Sequence, residues 1–361
     1  MSIDAVAQVT TTQEQQAPKE KAAGVFTRPN LILAALLFLM ILASLLALEV
    51  RFKISPTGVS DEPHFIYQAE SFLQGRWDLD HVTSRTVDII TLHGKYYIIY
   101  PPFPALVLLP FVAIWGLHTS DILFTTLLAA LNFPLLYLLF EQARAAGLTR
   151  RSHLANASFS VVFFYGSINL WLSLGGRVWF TAHILCLTCT LLSLLLALRR
   201  HYGWSAVLLA CAFFCRATVL LGFPLLFYLA WQDVNREQLV ERFVLALRAR
   251  RIDWDALPWR RLLPPLAVAL VRVLLFMARN LAVIGSPLES GYAILIQQRY
   301  PVVTHGPFNI AYVPSNIVAN FFSFPAVTFT SAFDRHPVID FMNGGYCVSV
   351  FVTTPLFLLL F

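Results

Sequence analysis

Charged side chains are scarce in this chain. They make up 13% of its 361 residues, and hydrophobic residues make up 58%. A soluble domain of this length usually carries about 25% charged residues. The apolar residues also come in runs that can cross a hydrocarbon layer of about 30 Å, which takes roughly 20 helical residues. The composition excludes an ordinary soluble domain and predicts an all-α, polytopic transmembrane protein.

Cysteine is scarce as well, with five in the whole chain, so a disulfide framework is not expected. Cys186, Cys189, Cys211 and Cys215 lie in apolar runs, where a thiol behaves as a small hydrophobe. The C-x-x-C spacing of Cys186 and Cys189 lacks the second ligand pair of a zinc site. A Gly-rich phosphate loop and a Ser nucleophile elbow are also missing from the sequence.

Basic residues give a net charge of +6, but the arginines cluster between apolar runs. We interpret them as topology signals, so no nucleic-acid partner is expected. The segments 141–152, 199–203 and 232–261 are predicted to be cytoplasmic by the positive-inside rule. Residues 1–29 form a polar tail, predicted to be disordered on the same side. This pattern predicts a multi-pass protein of the cell membrane with a cytoplasmic N-terminus.

About eight crossings of the lipid bilayer are predicted. Residues 30–50 form the first transmembrane helix, residues 118–284 the helical core, and residues 346–361 the last helix. The abrupt end of that last run suggests a C-terminally truncated fragment. Residues 51–117 and 285–345 are predicted to be outer-face loops with juxtamembrane segments.

Two apolar runs do not fit a single crossing. Residues 101–117 hold four prolines within ten residues, which is unfavourable in a continuous spanning helix. We therefore place them at the outer face. Residues 204–231 have cytoplasmic loops on both flanks, so they are predicted to form two short helices that turn near Arg216.

The first outer loop opens with Asp61 and Glu62, directly after the first helix. No basic residue lies next to them in sequence, and partial burial would prepare such a carboxylate to accept a proton near neutral pH. The alternative is that Asp61 caps a helix through Ala69, with Pro63 near its first turn. The catalytic and the capping interpretations are compatible, because a cap also fixes a carboxylate in place.

The segment Asp61-Glu62-Pro63-His64-Phe65 resembles the Asp-Glu-x-His-Phe signature of protein O-mannosyltransferases, which belong to the GT-C superfamily of membrane glycosyltransferases. Residues 94–104 are similar to the Gly-Lys-x-Tyr…Pro-Pro segment of lipid-linked aminoarabinose transferases. By motif order and hydropathy, the resemblance covers roughly residues 31–231. Tyr100 departs from the second family, because a Lys precedes the Pro-Pro pair there.

The resemblance implies a fold of GT-C type and a transfer reaction. A sugar would arrive on a polyprenyl phosphate and pass, with inversion, to a hydroxyl of a protein, lipid or glycan acceptor. No cofactor is implied, because the donor is not a nucleotide sugar. Asp61 would act as general base, with Glu62 as the lesser candidate. The leaving phosphate would be stabilised by a nearby cation.

Arg216 is the leading candidate for that cation, because an intramembrane Arg is a functional hypothesis by default. It resembles the Arg or Lys that many family members place between two short helices. A snorkelling Arg at a turn is the alternative. The full set of candidates is as follows: Asp61 and Glu62 for catalysis; Arg216, Arg177 and Lys95 for the donor phosphate; and His64, Tyr97 and Tyr100 for substrate binding. The spacing of His64, His81 and His93 does not suggest a metal site.

Two other classes of function stay open. A transporter or flippase of lipid-linked sugars would need no chemistry, and such proteins place ionisable residues near the bilayer midplane on broken helices. The acidic residues of this chain concentrate in the first outer loop instead, which favours transfer. An inactive scaffold is the third possibility.

Overall fold

The computed structural model describes residues 25–80, 82, 88–236, 259–289, 291–299, 309–324, 326–329, 337–340 and 349–354. Most of these residues are helical. In chain order the helices are α1 (Arg28–Arg51), α2 (His64–Leu73), α3 (Phe103–Trp115), α4 (Asp121–Ala145), α5 (His153–Tyr165), α6 (Asn169–Leu172), α7 (Val178–Leu198), α8 (Tyr202–Phe213), α9 (Gly222–Arg236), α10 (Trp259–Ile284), α11 (Tyr292–Arg299), α12 (Val313–Ile317) and α13 (Val350–Thr353).

Two short antiparallel hairpins accompany the helices. Strands β1 (Ile89–Leu92) and β2 (Lys95–Ile98) pair with Ile89 opposite Ile98, and β3 (Ala326–Phe329) pairs with β4 (Pro337–Asp340). Turns of 3-10 helix at Gly116–His118, Ala217–Leu221 and Ile310–Tyr312, and a π-helical turn at Val318–Phe322, complete the described elements.

Four helices in the described part of the chain are long and apolar enough to cross a membrane. They are α1, α4, α7 and the Leu263–Ile284 portion of α10. The chain is therefore a mostly helical protein whose apolar helices fit a lipid bilayer. Within the predicted helical core, α5 and α6 are both too short to cross alone, and residues 346–361 are described only at 349–354. The count of about eight crossings stays a prediction.

Helix α3 covers most of the proline-rich segment 101–117. It has 13 residues, with Pro110 inside it, and its length of about 20 Å is too short to cross a bilayer. One face of α3 packs against α2, where Ala105 and Leu108 join the buried cluster around Phe65 and Ile66. This segment therefore belongs with the first loop.

Helices α8 and α9 form a helical hairpin with its tip at Arg216. Helix α8 ends at Phe213, and Arg216 has an extended backbone before the next turn of helix begins. The Tyr202 hydroxyl at the start of α8 donates to the Leu229 carbonyl oxygen near the end of α9, at 3.4 Å. The two helices are thus antiparallel, and the helical structure is interrupted near Arg216, where the sequence predicts a turn.

Helices α4 and α7 pack closely in the centre of the bundle. The hydroxyl oxygens of Thr125 and Thr181 lie 2.7 Å apart, and the Asn132 side-chain amide donates to the Ile184 carbonyl oxygen at 3.0 Å. Small and hydrogen-bonding residues such as these let membrane helices approach each other. Helix α1 packs on the other side of α4, where Ile41 belongs to the main hydrophobic cluster.

The segment between α1 and α2 folds over the first turn of α4. The Ser60 backbone N–H and hydroxyl donate to the two carboxylate oxygens of Asp121, at 2.8 and 2.6 Å. The Ser120 hydroxyl donates to the Gly58 carbonyl oxygen at 2.6 Å and accepts from the Leu123 N–H as the cap of α4. These bonds fix the start of the first loop to the helical core.

Gly176 lets the chain before α7 pass directly over that first turn of α4. Its φ is +61°, and a Cβ at this position would lie 2.5 Å from the Cα and backbone N of Ile122. Only glycine combines this left-handed backbone with such a close approach. The turn between α6 and α7 is therefore held against α4.

We predict that Gly176→Ala destabilises the protein by about 3 kcal/mol or more, because the methyl group meets backbone atoms that cannot move aside. The matched control is Gly147→Ala, which has a φ of +75° with no atom near the added Cβ. It should cost only about 1 kcal/mol for the left-handed backbone. Thermal unfolding in detergent micelles measures both values, and equal losses would contradict the packing argument.

Candidate active site

Asp61 lies on the surface at the end of the bundle where α1 finishes and α4 and α7 begin. Its side chain is 60% exposed. Pro63 occupies the N-cap position of α2 and makes no side-chain cap bond, so the alternative that places Asp61 at this position is wrong. The bond from Ser60 to Asp121 holds the neighbouring backbone, and Asp61 projects beyond it.

Arg177 is the cation beside Asp61. The Arg177 Nη2 lies 3.7 Å from the Asp61 Oδ2, and the Arg177 side chain is 43% exposed. Arg177 occupies the N-cap position of α7, directly after Gly176. Two residues that the sequence singled out separately are therefore brought together. An exposed ion pair of this kind contributes about 0–1 kcal/mol, so a ligand can displace it.

A cavity of about 420 Å³, which we call the Asp61 cavity, opens at this ion pair. The segment after α1, the first turn of α4 and the chain around the start of α7 form its wall. Residues on the wall include Lys53, Ser60, Asp61, Trp171, Arg177 and Phe180. Its volume lies in the range of about 300–1,000 Å³ that is typical of small-molecule sites.

Sequence reasoning missed Lys53 and Trp171. Lys53 follows α1 with a φ of +59°, and in the sequence it looks like any basic residue at a membrane boundary. Trp171 is 60% exposed, and its ring meets that of Phe180 edge to face with centres 6.2 Å apart. Neither has a local pattern that marks it, because the fold brings both to the cavity.

A second cavity, the Arg216 cavity, has a volume of about 560 Å³. The Arg216 Cζ lies 5.4 Å from the centre of the Tyr100 ring, and Tyr292 and Phe276 also line the wall. Burial raises the pKa of Tyr100 well above its ordinary value, and burial likewise raises the pKa of Tyr292. Both tyrosines therefore stay protonated at neutral pH and can donate hydrogen bonds to an anion.

Asp88 is a further residue that the sequence did not reveal. It is buried, has a φ of +63° and accepts a hydrogen bond from the Trp179 Nε1 at 2.5 Å. Its backbone carbonyl oxygen accepts from the Ile99 N–H at 3.4 Å, and Ile99 lines the Arg216 cavity. Trp179 lies two residues after Arg177, so the first turn of α7 connects the two cavities.

The remaining candidates lie outside the walls of both cavities. Lys95 is 58% exposed and pairs with Asp78 at 3.4 Å, so the structure does not bring it to Asp61. Glu62 is half-buried and His64 is fully buried at the start of α2. Tyr97 is half-buried against the cluster that joins the first hairpin to α11. His81 lies outside the described residues.

The four cysteines that were predicted to lie in apolar surroundings pack together between α7 and α8. Cys186, Cys189 and Cys215 are buried in one hydrophobic cluster, and Cys211 packs against it. Among the residues that the structure describes, no group of three or more His, Cys, Asp or Glu side chains is arranged to hold a metal ion.

We compared the chain with protein-family models, with curated proteins and with solved structures, and none of the three comparisons finds a match.

Proposed function

We propose that the chain is a GT-C-type membrane glycosyltransferase, which moves a sugar from a polyprenyl-phosphate donor to an acceptor hydroxyl. The observation that carries the proposal is the pairing of Asp61 with Arg177 in a cavity at one end of an apolar helical bundle. A base and a cation side by side are what this displacement requires. In the cell membrane, with the N-terminus in the cytoplasm, this end would face outward.

The proposed reaction is a direct displacement at the sugar carbon. The Asp61 carboxylate takes the proton of the acceptor hydroxyl, because an alcohol is a poor nucleophile until that proton leaves. The hydroxyl oxygen forms the new bond to the sugar from the face opposite the phosphate. The bond between the sugar carbon and the phosphate oxygen breaks, and the lipid phosphate departs with the electron pair. Inversion at the sugar carbon follows.

Arg177 would stabilise the charge that grows on the leaving phosphate. Arg177 pairs with Asp61 across 3.7 Å, and both side chains are open to solvent. Since such a pair is weak, a phosphate with two or more free oxygens would replace the carboxylate as the partner of Arg177. Donor binding would thereby release Asp61 for its role as base.

The Arg216 cavity suits the lipid end of the donor. Its wall combines Arg216 with apolar side chains, among them Ile99, Phe276 and Ile296. An isoprenoid chain needs such a wall, and a cation beside it would attract the phosphate. Arg216 would then recruit the donor, and Arg177 would act in the transfer step.

We predict that Asp61→Asn lowers kcat by about 10²–10⁴, the range that general-base catalysis usually contributes. The assay measures transfer from radiolabelled polyprenyl-phosphate sugars to an envelope extract by the protein in liposomes. The control is Asp80→Asn, an exposed carboxylate of the same loop that pairs with Arg76. Wild-type rates in Asp61→Asn would rule out its role as base, and no transfer by wild type with any donor would refute the proposal.

We predict that Arg177→Gln and Arg216→Gln affect different steps. Removing the Arg177 charge should lower kcat about 100-fold, with partial rescue by Arg177→Lys, because the lost contact is strongest in the transition state. Arg216→Gln should mainly raise the donor KM. The same assay over a donor concentration series separates the two effects. An unchanged kcat in Arg177→Gln would remove Arg177 from the mechanism.

A transporter of lipid-linked sugars is the second candidate function. The observation in its favour is that Arg216 lies at a break between two short helices and Arg279 is buried in α10, an arrangement typical of transport sites. Liposomes with a fluorescent polyprenyl-phosphate sugar test it. Movement of the lipid between leaflets, with no transfer in any acceptor extract, would favour transport.

A further inference from the structure

The end of the bundle opposite the Asp61 cavity carries a basic cavity of its own. Helix α7 starts beside Arg177 and runs for 21 residues to Leu198, which is about 30 Å along the helix axis. The chain then turns at residues 199–201 into α8. Beside this turn lies a cavity of about 440 Å³, which we call the Arg200 cavity. The proposed reaction gives it no part.

The Arg200 cavity lies between α8 and α10. Gly203 of α8 brings the two helices together, because a Cβ there would lie 3.4 Å from the Pro264 Cβ, and both residues line the cavity. Further along, the ring centres of Phe213 and Phe276 are 5.6 Å apart. The two helices therefore run side by side in the same direction, with the cavity where they begin to meet.

The charge on the wall of this cavity is of one sign. Arg200 and His201 line it, and no Asp or Glu is among the described residues that do so. The neighbouring Arg199 is placed differently, with its Cζ 5.0 Å from the centre of the Phe26 ring. Two consecutive arginines therefore separate, since Arg199 packs beside the start of α1 and Arg200 lines the cavity. A wall of this charge suits an anion.

The backbone at Arg200 supports a role for its side chain. The Arg200 N–H donates to the Ala197 carbonyl oxygen and the His201 N–H to the Leu196 carbonyl oxygen, both at 2.9 Å. This is the Schellman motif, and Arg200 occupies the position in it that is usually glycine. Its φ of +64° is unfavourable for a residue with a Cβ. Arginine at this position therefore serves something other than the turn.

The surface beside the cavity is apolar. Trp204 lines the cavity and is 68% exposed, and tryptophan is typical of the interface between membrane and water. Val207 follows one turn later on α8 and lines the cavity as well. On α10, Val271 and Leu275 are exposed one and two turns after Val268, which also lines it. A lipid headgroup in the cavity would have an apolar surface for its acyl chains.

We propose that the Arg200 cavity binds an anionic phospholipid, whose phosphodiester pairs with Arg200 and whose acyl chains lie against the apolar faces of α8 and α10. Basic pockets between membrane helices bind headgroups of this charge. A free phosphate would use only the basic residues, whereas a lipid also uses Trp204 and the apolar surface. In the orientation proposed above, this end meets the cytoplasmic leaflet, whose surface is negative. The inference does not depend on sugar transfer.

The test uses the full chain in phosphatidylcholine vesicles, in which part of the lipid is brominated phosphatidylglycerol or brominated phosphatidylcholine. Bromine quenches tryptophan fluorescence on contact, and a parallel protein with Trp204→Phe isolates the signal of Trp204. The variants are Arg200→Gln and Arg200→Gly. Glycine keeps the left-handed turn, so this variant tests the side chain even if glutamine disturbs the fold. The matched control is Arg199→Gln, which removes the neighbouring charge outside the cavity.

Trp204 in the wild type should be quenched preferentially by the phosphatidylglycerol. Each Arg200 variant should lower this preference about fivefold, the effect that one arginine usually has at an anionic membrane surface, and Arg199→Gln should stay near the wild-type value. Equal quenching by the two lipids in the wild type, or equal losses in the Arg199 and Arg200 variants, overturns the inference. Displacement of the lipid by millimolar inorganic phosphate at constant ionic strength would assign the cavity to free phosphate and overturn it too.

Discussion

The buried carboxylate of Asp121 is the contact on which the arrangement of the candidate site depends. It is 3% exposed at the start of α4, where the helix dipole favours a negative charge. Ser60 gives it two hydrogen bonds, and the next residue in the chain is Asp61. A loop that leaves a membrane helix has many possible paths. This pair of hydrogen bonds selects the path that leaves Asp61 exposed at the mouth of a cavity.

The first turn of α7 also determines the arrangement of the site, because three contacts that shape the site come from four consecutive residues. Gly176 allows contact with the backbone of α4, Arg177 pairs with Asp61, and Trp179 donates to Asp88. Since a helix turn is rigid, these three contacts cannot vary independently. A change in the packing of Gly176 must also reach both cavities.

Local features of the fold could be predicted from the sequence, and long-range features could not. The long apolar runs predicted α1, α4 and α7, and the charge pattern around residues 204–231 predicted the break near Arg216. Asp61 and Arg177 were each singled out by local motifs. Their pairing was not foreseen, because it depends on how the loop after α1 folds over α4.

The wrong or missing predictions also have physical causes. The alternative interpretation of Asp61 as the cap of α2 is wrong, because the helix begins at His64 and Pro63 takes the cap position. Asp88 received no attention, because burial and a hydrogen bond to a distant helix leave no local pattern. Lys95 was chosen from a motif, yet the hairpin turns it toward Asp78. Motifs thus identified residue types, and tertiary contacts decided which of them meet.

The two arginines lie at different depths along α7, and this bears on what each can bind. Arg216 directly follows Cys215, which belongs to the same buried cluster as Leu185 and Cys186 of α7, eight and nine residues beyond Arg177. Eight residues correspond to about 12 Å along a helix axis, which exceeds the width of one phosphate group. The two guanidinium groups are therefore suited to different phosphates, or to one phosphate at successive stages. Asp61 pairs with Arg177, so in the proposed reaction a donor held at Arg216 would have to advance toward Arg177 before the acceptor hydroxyl could reach its sugar carbon.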